Sequence, residues 1–258
     1  MSLAPALASP SSPVIITGGA SGIGLASAHA LAAIGRPVAL WDIDGEKAAA
    51  ASRAIAEAHG AAVTSVAIDL REIGGIEAAL ATTREAIGAP GGLVHAAGIV
   101  DTGSLDGMTP ESWDSGIAIH LRSLAFIVQA IRADLAARPG SAIVAIASIN
   151  ATLGNAVNPI YSAAKGGILS LVRSLADRLA MDGIRINSVS PGQIMTPLLR
   201  PTVEALPQGY FEKRILLNRL GDPDEVGRVV RFLLSDEASY ITASEIVVDG
   251  GNISSQRG

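Results

Sequence analysis

Val14-Ile15-Ile16-Thr17-Gly18-Gly19-Ala20-Ser21-Gly22-Ile23-Gly24 reads as a short β-branched strand running into a glycine-rich turn, which opens an alanine-rich helical stretch to about Ile34. A phosphate-cradling loop needs this context. Glycine lets the backbone approach a pyrophosphate with no Cβ in the way, and the free N–H groups at the helix start take up its negative charge. The spacing is G-x-x-x-G-x-G, not the G-x-G-x-x-G of the common dinucleotide fingerprint. From the loop alone, a tight strand-to-helix turn with incidental glycines stays open.

The next apolar run, Pro37–Asp42, ends on a carboxylate eighteen residues after Gly24. At a strand tip such a group can accept from both ribose hydroxyls of NAD and repels the extra phosphate of NADP. No arginine or lysine stands in the glycine loop to welcome that phosphate. Asp44 could be the acceptor instead, or both aspartates could be solvated turn residues before Gly45. The position of Asp42 directly after Trp41 favours Asp42.

Beyond this unit the pattern repeats. Glu46–Ala58 reads as a helix, Val63–Ile68 as a strand, Glu72–Ile87 as a helix whose start Gly74-Gly75 weakens, and Leu93–His95 as a short strand. Thr109-Pro110-Glu111 opens a long helix with an N-cap hydroxyl, a proline at the first helical position and an acid at the positive end. Strand Ser141–Ala147, helix Pro159–Met181 and strand Ile184–Val189 follow. A less regular segment then leads to about Asn218, before helix Asp224–Leu234 and strand Glu245–Val248. Strands that are continuous apolar runs, alternating with helices, predict an α/β fold with a parallel sheet covered on both faces. No repeat or linker divides the chain, so residues 13–258 are expected to form one domain behind a loose tail over 1–12.

Composition narrows the function classes. The chain has no cysteine, which removes disulfides, thiolate metal sites and cysteine nucleophiles together. Nineteen Lys+Arg against 24 Asp+Glu, without a basic block, argue against a nucleic-acid partner. A mean hydropathy of +0.41 raises the question of a membrane span. The charge-free stretch 1–35 is broken by Pro5, Pro10, Pro13 and four glycines, and 139–164 by Asn150, Asn155, Asn158 and Pro159, so neither suits a bilayer. With no basic N-terminal region a secretory signal is not expected, and the chain reads as cytoplasmic. Scattered histidines without nearby carboxylates give no ligand spacing, so no metal is expected, and a site from His95 and His120 has little support.

Tyr161-Ser162-Ala163-Ala164-Lys165 puts a phenol and an ammonium on one helical face. Lowering a tyrosine pKa from about 10 to neutrality requires about 4 kcal/mol. One cation about 4 Å away supplies roughly that at an effective dielectric of 20. The pair is therefore sufficient in magnitude to make a general base, although the same spacing alone commonly carries no function.

Taken together these residues resemble the short-chain dehydrogenase/reductase family in its smaller, classical form, from about Val14 to Gly251. The marks are the glycine loop 17–24, Asp69-Leu70, Ala97-Gly98 and Ser148 thirteen residues before Tyr161. They continue with Tyr161/Lys165, Asn187-Ser188-Val189-Ser190-Pro191-Gly192, Thr196-Pro197 and Val248-Asp249-Gly250-Gly251. The resemblance implies a single-domain, Rossmann-like, doubly wound sheet of seven parallel strands in the order 3-2-1-4-5-6-7. It implies an oxidoreductase that moves hydride between a nicotinamide and a secondary alcohol or ketone of modest size. Tyr161 would be the general acid/base, Lys165 would lower its pKa and hold the nicotinamide ribose, and Ser148 would bind the substrate oxygen. Gly18, Ser21, Gly22, Ile23, Gly24, Asp42, Asp69, Leu70, Ala97, Gly98, Pro191, Gly192, Ile194 and Thr196 would line the cofactor. Asp69 would accept from the adenine amino group, and Ile194 and Thr196 would hold the carboxamide. Members associate as dimers or tetramers through two long helices, here 110–136 and 159–181.

Two positions depart from the family pattern. His95-Ala96-Ala97-Gly98 stands where Asn-Asn-Ala-Gly is usual, and His120 takes the place of an asparagine that anchors a water between the lysine and solvent. A proton relay through His120 and a packed core imidazole both suit the position. The apolar stretch Met195–Phe211 and Ile149–Asn155 should line the substrate pocket, with Arg200 either pairing with a substrate anion or solvated. NAD is the cofactor expected from Asp42. An NADPH-linked 3-oxoacyl-thioester reductase and a cofactor-binding protein without turnover are the alternatives.

Overall fold

Seven strands form one parallel sheet: β1 (Val14–Thr17), β2 (Val38–Asp42), β3 (Val63–Ala67), β4 (Gly92–His95), β5 (Ala142–Ile146), β6 (Arg185–Pro191) and β7 (Glu245–Val248). Their order is β3-β2-β1-β4-β5-β6-β7, as the resemblance implies. The computed structural model describes residues 10–254. Thr17 is in register with Trp41 on one side and His95 on the other, so the strand tips carrying the glycine loop, Asp42 and His95 lie side by side. The strand order reverses between β1 and β4, which opens a crevice beyond the carboxyl ends of these strands.

Successive residues of each strand feed different cores. Val14 and Ile16 pack with α1 (Gly22–Ala32), Ile55 of α2 (Gly45–His59) and α9 (Pro223–Leu233) on one face. Ile15, Leu93 and Ile143 pack with α3 (Ile76–Ile87), α5 (Ser123–Ala136) and α7 (Pro159–Ala180) on the other. Two buried faces explain why the strands read as continuous apolar runs. Trp41 is fully buried, and its indole N–H donates to Thr83 Oγ1 at 2.9 Å, which satisfies its one polar atom.

The expected tail needs correction at its end. Arg36 is buried and donates to the Ser12 and Leu234 carbonyls at 2.8 Å each, so Ser12 is tied to the end of α9. The rest of that expectation, over residues 1–9, and the last four positions of the expected domain lie outside the described residues.

The long helix from Pro110 is not continuous. It comprises α4 (Pro110–Ile117), a π turn over Ala118–Arg122 and α5, and the Ser123 N–H reaches back five residues to the Ala118 carbonyl. Its start is as read, with Thr109 in a reciprocal capping box with Ser112. By length and composition Pro110–Ala136 could span a bilayer, a stretch the sequence reading did not weigh. In the fold its Leu124, Ile127, Ile131 and Leu135 are fully buried against the sheet. A short helix, α8 (Arg200–Ala205), punctuates the segment read as less regular, and another, α6 (Asn150–Leu153), lies between β5 and α7. Gly74-Gly75 do weaken the third helix: Ile73–Gly75 is a 3-10 turn before α3.

Candidate active site

The glycine loop is shaped by positions where a side chain would not fit. Gly18 has φ +64°, and a Cβ there would lie 2.8 Å from Ala97 Cα; a Cβ on Gly24 would run into the Gly18 carbonyl. Ser21 is the N-cap of α1 but makes no capping hydrogen bond, so the first helical amides remain available to an anion. This is a cradle that a Cβ would fill, and it suits the pyrophosphate of a dinucleotide.

Two cavities flank it. One, of about 180 Å³, is lined by Gly18, Asp42, Asp69, Leu70, Ala97 and Gly98 among others. The other, of about 200 Å³, holds Ile23, Ser148, Tyr161, Pro191, Gly192, Ile194 and Thr196. Gly22, at φ +52°, sits against Thr196. The residues expected to contact the cofactor thus line these two cavities, apart from Ser21, Gly22 and Gly24 in the loop and Lys165 buried beneath.

The two aspartates have different surroundings. Asp44 caps α2, accepting from Lys47 N at 3.0 Å. Asp42 faces the first cavity and also ties the loop to the strand tip, its Oδ2 accepting from Ala20 N at 3.0 Å and its Oδ1 from Asp44 N at 3.1 Å. Asp69 lines the same cavity and has a partner of its own. Both of its oxygens accept from the Arg71 side chain, at 2.6 to 3.0 Å, and that guanidinium holds its carboxyl below the usual range. The sequence reading left Arg71 out, although it stands two residues from Asp69 and lines the same cavity.

Ser148, Tyr161 and Lys165 converge on the second cavity from β5 and α7. The Tyr161 phenol is hydrogen-bonded to Ser148, whose Oγ also accepts from Asn150 N at 3.1 Å. Lys165 is buried beneath, its Nζ donating to the Ile146 carbonyl at 2.6 Å and lying 5.4 Å from the Tyr161 ring centre. The expectation that the ammonium depresses the phenol needs correction. Burial pushes the Tyr161 phenol up, with only the Ser148 bond opposing it, and pushes Lys165 down to about 7. A dry pocket disfavours the charged form of both groups, and this outweighs the expected attraction.

The two unusual histidines meet at the π turn. His95 ends β4, fully buried, with Nδ1 3.0 Å from Thr17 Oγ1 and Nε2 3.1 Å from the His120 carbonyl. Thr17 Oγ1 already accepts from the Ala96 and Ala97 amides, so its proton goes to His95 Nδ1, and His95 Nε2–H donates to the turn. A π turn disrupts the regular helical ladder. Here side chains serve its carbonyls, with Ser123 Oγ donating to the Ile119 carbonyl at 2.6 Å. His120 packs edge-on to Tyr161, with ring centres 5.4 Å apart, and its ring fills the space a Cβ on Gly98 would need. Burial, reinforced by Lys165, holds its pKa well below the ordinary imidazole value.

Of the expected substrate wall, Ile149, Asn150, Asn155, Leu198, Leu199 and Phe211 line the cleft; Arg200 is exposed and does not. Thr202, inside the expected stretch, also lines it, as does Asn158, which was missed because a polar residue beside a helix carries no signal of its direction.

Comparison with known proteins agrees with this geometry. A family model described as enoyl-(acyl carrier protein) reductase matches residues 18–252. A probable galactose dehydrogenase of Rhizobium meliloti (strain 1021) is 35% identical over 241 residues, covering 92% of this chain and 93% of that protein. The 3-oxoacyl-[acyl-carrier-protein] reductase of Chlamydia pneumoniae is 36% identical over 242 residues, covering 92% and 95%. Among solved structures, L-sorbose reductase from Gluconobacter frateurii, in complex with NADPH and L-sorbose, superposes with a TM-score of 0.88. It shares 28% identity, over 94% of this chain and 96% of that one.

Proposed function

The chain belongs to the short-chain dehydrogenase/reductase family, whose members use a nicotinamide cofactor, and from that premise we propose an NAD(H)-dependent dehydrogenase or reductase of a small secondary alcohol or ketone. The observation that carries this reading is the Tyr161 phenol, bonded to Ser148 at the floor of the cleft with Lys165 buried beneath it. The bound nicotinamide supplies or accepts the hydride. Tyr161 donates its proton to the carbonyl oxygen in reduction and takes it back in oxidation, while the Ser148 hydroxyl binds that oxygen. Lys165, buried beneath the ring, would hold the nicotinamide ribose. The glycine loop would hold the pyrophosphate and Asp42 the adenosine ribose, which would favour NAD by repelling a 2′-phosphate.

The cleft joins Asn150, Asn155, Asn158 and Thr202 to Leu198, Leu199 and Phe211, a lining suited to a hydroxylated substrate with an apolar side. Sugar-type polyols therefore lead the panel of candidates, in keeping with the galactose dehydrogenase and sorbose reductase likeness. The likeness to a 3-oxoacyl thioester reductase favours a second reading, which Asp42 and the loop without a basic residue oppose. The site is expected to work in a cytoplasmic homodimer or homotetramer joined through α4, α5 and α7, where Trp113 and Phe126 expose apolar surface.

The test is NADH formation over a panel of polyols, hydroxy acids, simple alcohols and steroids. Turnover with NAD, and at least about tenfold weaker use of NADP, is the expected result. Stoichiometric NADH binding with no turnover across the panel would favour a cofactor-binding protein instead.

A further inference from the structure

Beside Tyr161 lies a third cavity, of about 140 Å³, that the proposed reaction does not use. Its wall is formed by Ile99–Asp101, part of α4, His120 and the start of α7. Two polar atoms of these residues, Asp101 Oδ2 and His120 Nδ1, are shielded from solvent and have no hydrogen-bond partner. Native interiors rarely leave such atoms unsatisfied, and here two belong to residues of one wall.

Their chemistry says what would satisfy them. His120 Nε2 stands 2.8 Å from the Ile99 carbonyl oxygen and 3.2 Å from Ile99 N. The shorter contact assigns the ring proton to Nε2, donating to that carbonyl, and leaves Nδ1 with a bare lone pair. Carboxylate oxygen and Nδ1 are then both acceptors. A water carries two O–H donors and serves both at once, and a cavity of this size holds about four waters at ~30 Å³ each.

Asp101 also reaches Tyr161 directly: its Oδ1 accepts from the Tyr161 backbone N–H at 2.9 Å. We propose that Asp101 is a positioning residue for Tyr161, pinning its backbone with one oxygen and, through a water in this cavity, orienting His120 against the phenol ring with the other. The proposal rests on Tyr161 being the acid/base group named above. Around the imidazole stand Lys165 from α7, His95 from β4, the Tyr161 phenol and, across the cavity, Asp101. Burial opposes protonation of His120 most, Lys165 and His95 add to it, and the carbonyl bond to Ile99 favours it only in part, so the ring is neutral near neutrality.

The experiment compares Asp101→Asn with Asp101→Ala in the full chain. Asparagine keeps an oxygen for the Tyr161 N–H but replaces the other with an amide nitrogen and removes the charge. Protein carrying nitrogen-15 histidine, with the His120 resonance assigned by its loss in His120→Asn, should show the Nε2–H tautomer. Asp101→Asn should shift its Nδ1 resonance. A crystal structure resolving ordered water should place one within hydrogen-bond distance of both Asp101 Oδ2 and His120 Nδ1. In turnover, Asp101→Asn should lower kcat by at least about twofold, with KM for the cofactor within about twofold. Asp101→Ala, which also loses the backbone acceptor, should lower kcat at every pH. An unchanged Nδ1 resonance in Asp101→Asn, a dry cavity or a metal ion in the water's place overturns the proposal. The spectroscopic and crystallographic readouts need no turnover. A parent protein inert toward every alcohol would defeat the proposed function, while those two readouts still decide the water site.

Discussion

The two sides of the crevice are built by different means. On the β1–β3 side the working groups are mostly backbone: the loop amides, the start of α1 and glycines at positive φ, with one carboxylate, Asp42, holding the loop at Ala20. On the β4–β6 side they are buried side chains: Ser148, Lys165, His95 and His120, gathered about Tyr161. Backbone dipoles keep their strength whatever the pH. Buried titratable groups do not, and burial has moved each one whose shift is resolved, taking Lys165 to about 7 and His95 to about 4. The β1–β3 side is thus a matter of shape, and the β4–β6 side a matter of excluded water.

Changes confined to one side should leave the other working. The largest separation is expected from Tyr161→Phe. It should reduce kcat by on the order of 10²–10⁴-fold, because the proton donor is gone, while NADH titration shows nearly parental affinity. Substantial activity in this variant would place the chemistry elsewhere.

Next in size is the acid response of the buried side. His95 has a folded pKa of about 4 against an unfolded value of 6.5. The unfolded chain binds the proton first, so the stability associated with the neutral ring is present above pH 6.5 and is lost as pH falls towards 4. The loss is about 3 kcal/mol. Urea denaturation at pH 7 and near pH 4 measures it, and His95→Asn should flatten the difference. An equally steep acid loss in that variant would assign the sensitivity to other groups.

Gly18→Ala attacks the opposite side. Its φ of +64° and the closeness of Ala97 should cost about 2 kcal/mol, read as a lower Tm together with weaker NADH binding. Parental binding in this variant would mean that the loop does not cradle the pyrophosphate. The smallest effect is expected from Asp42→Ser, which should erode a preference for NAD of at least about 1.4 kcal/mol, chiefly by improving NADP binding. Equal affinities in the parent protein would remove the assignment.

The same contrast explains what could be read in advance. β7 has the bounds expected, and the glycine loop, the Thr109 cap and the strand alternation were legible because glycine, proline and β-branched residues restrict the backbone locally. The π turn was not. Nothing in Ala118-Ile119-His120-Leu121-Arg122 distinguishes it from ordinary helix, since its carbonyls are served by His95, a residue 25 positions earlier on another element. Arg71 beside Asp69 and the fit of His120 against Gly98 escaped for the same reason.

The sequence by itself determined the parallel sheet, the crevice at its strand reversal and the identity of the groups that meet there, because periodicity and backbone restriction act over a few residues. Tertiary structure alone decided that burial governs Tyr161 and Lys165, that Asp42 ties the glycine loop to the strand tip at Ala20, and that His95 holds the π turn. Desolvation and hydrogen-bond direction depend on every neighbour that displaces water, and those neighbours come together only when the chain has folded.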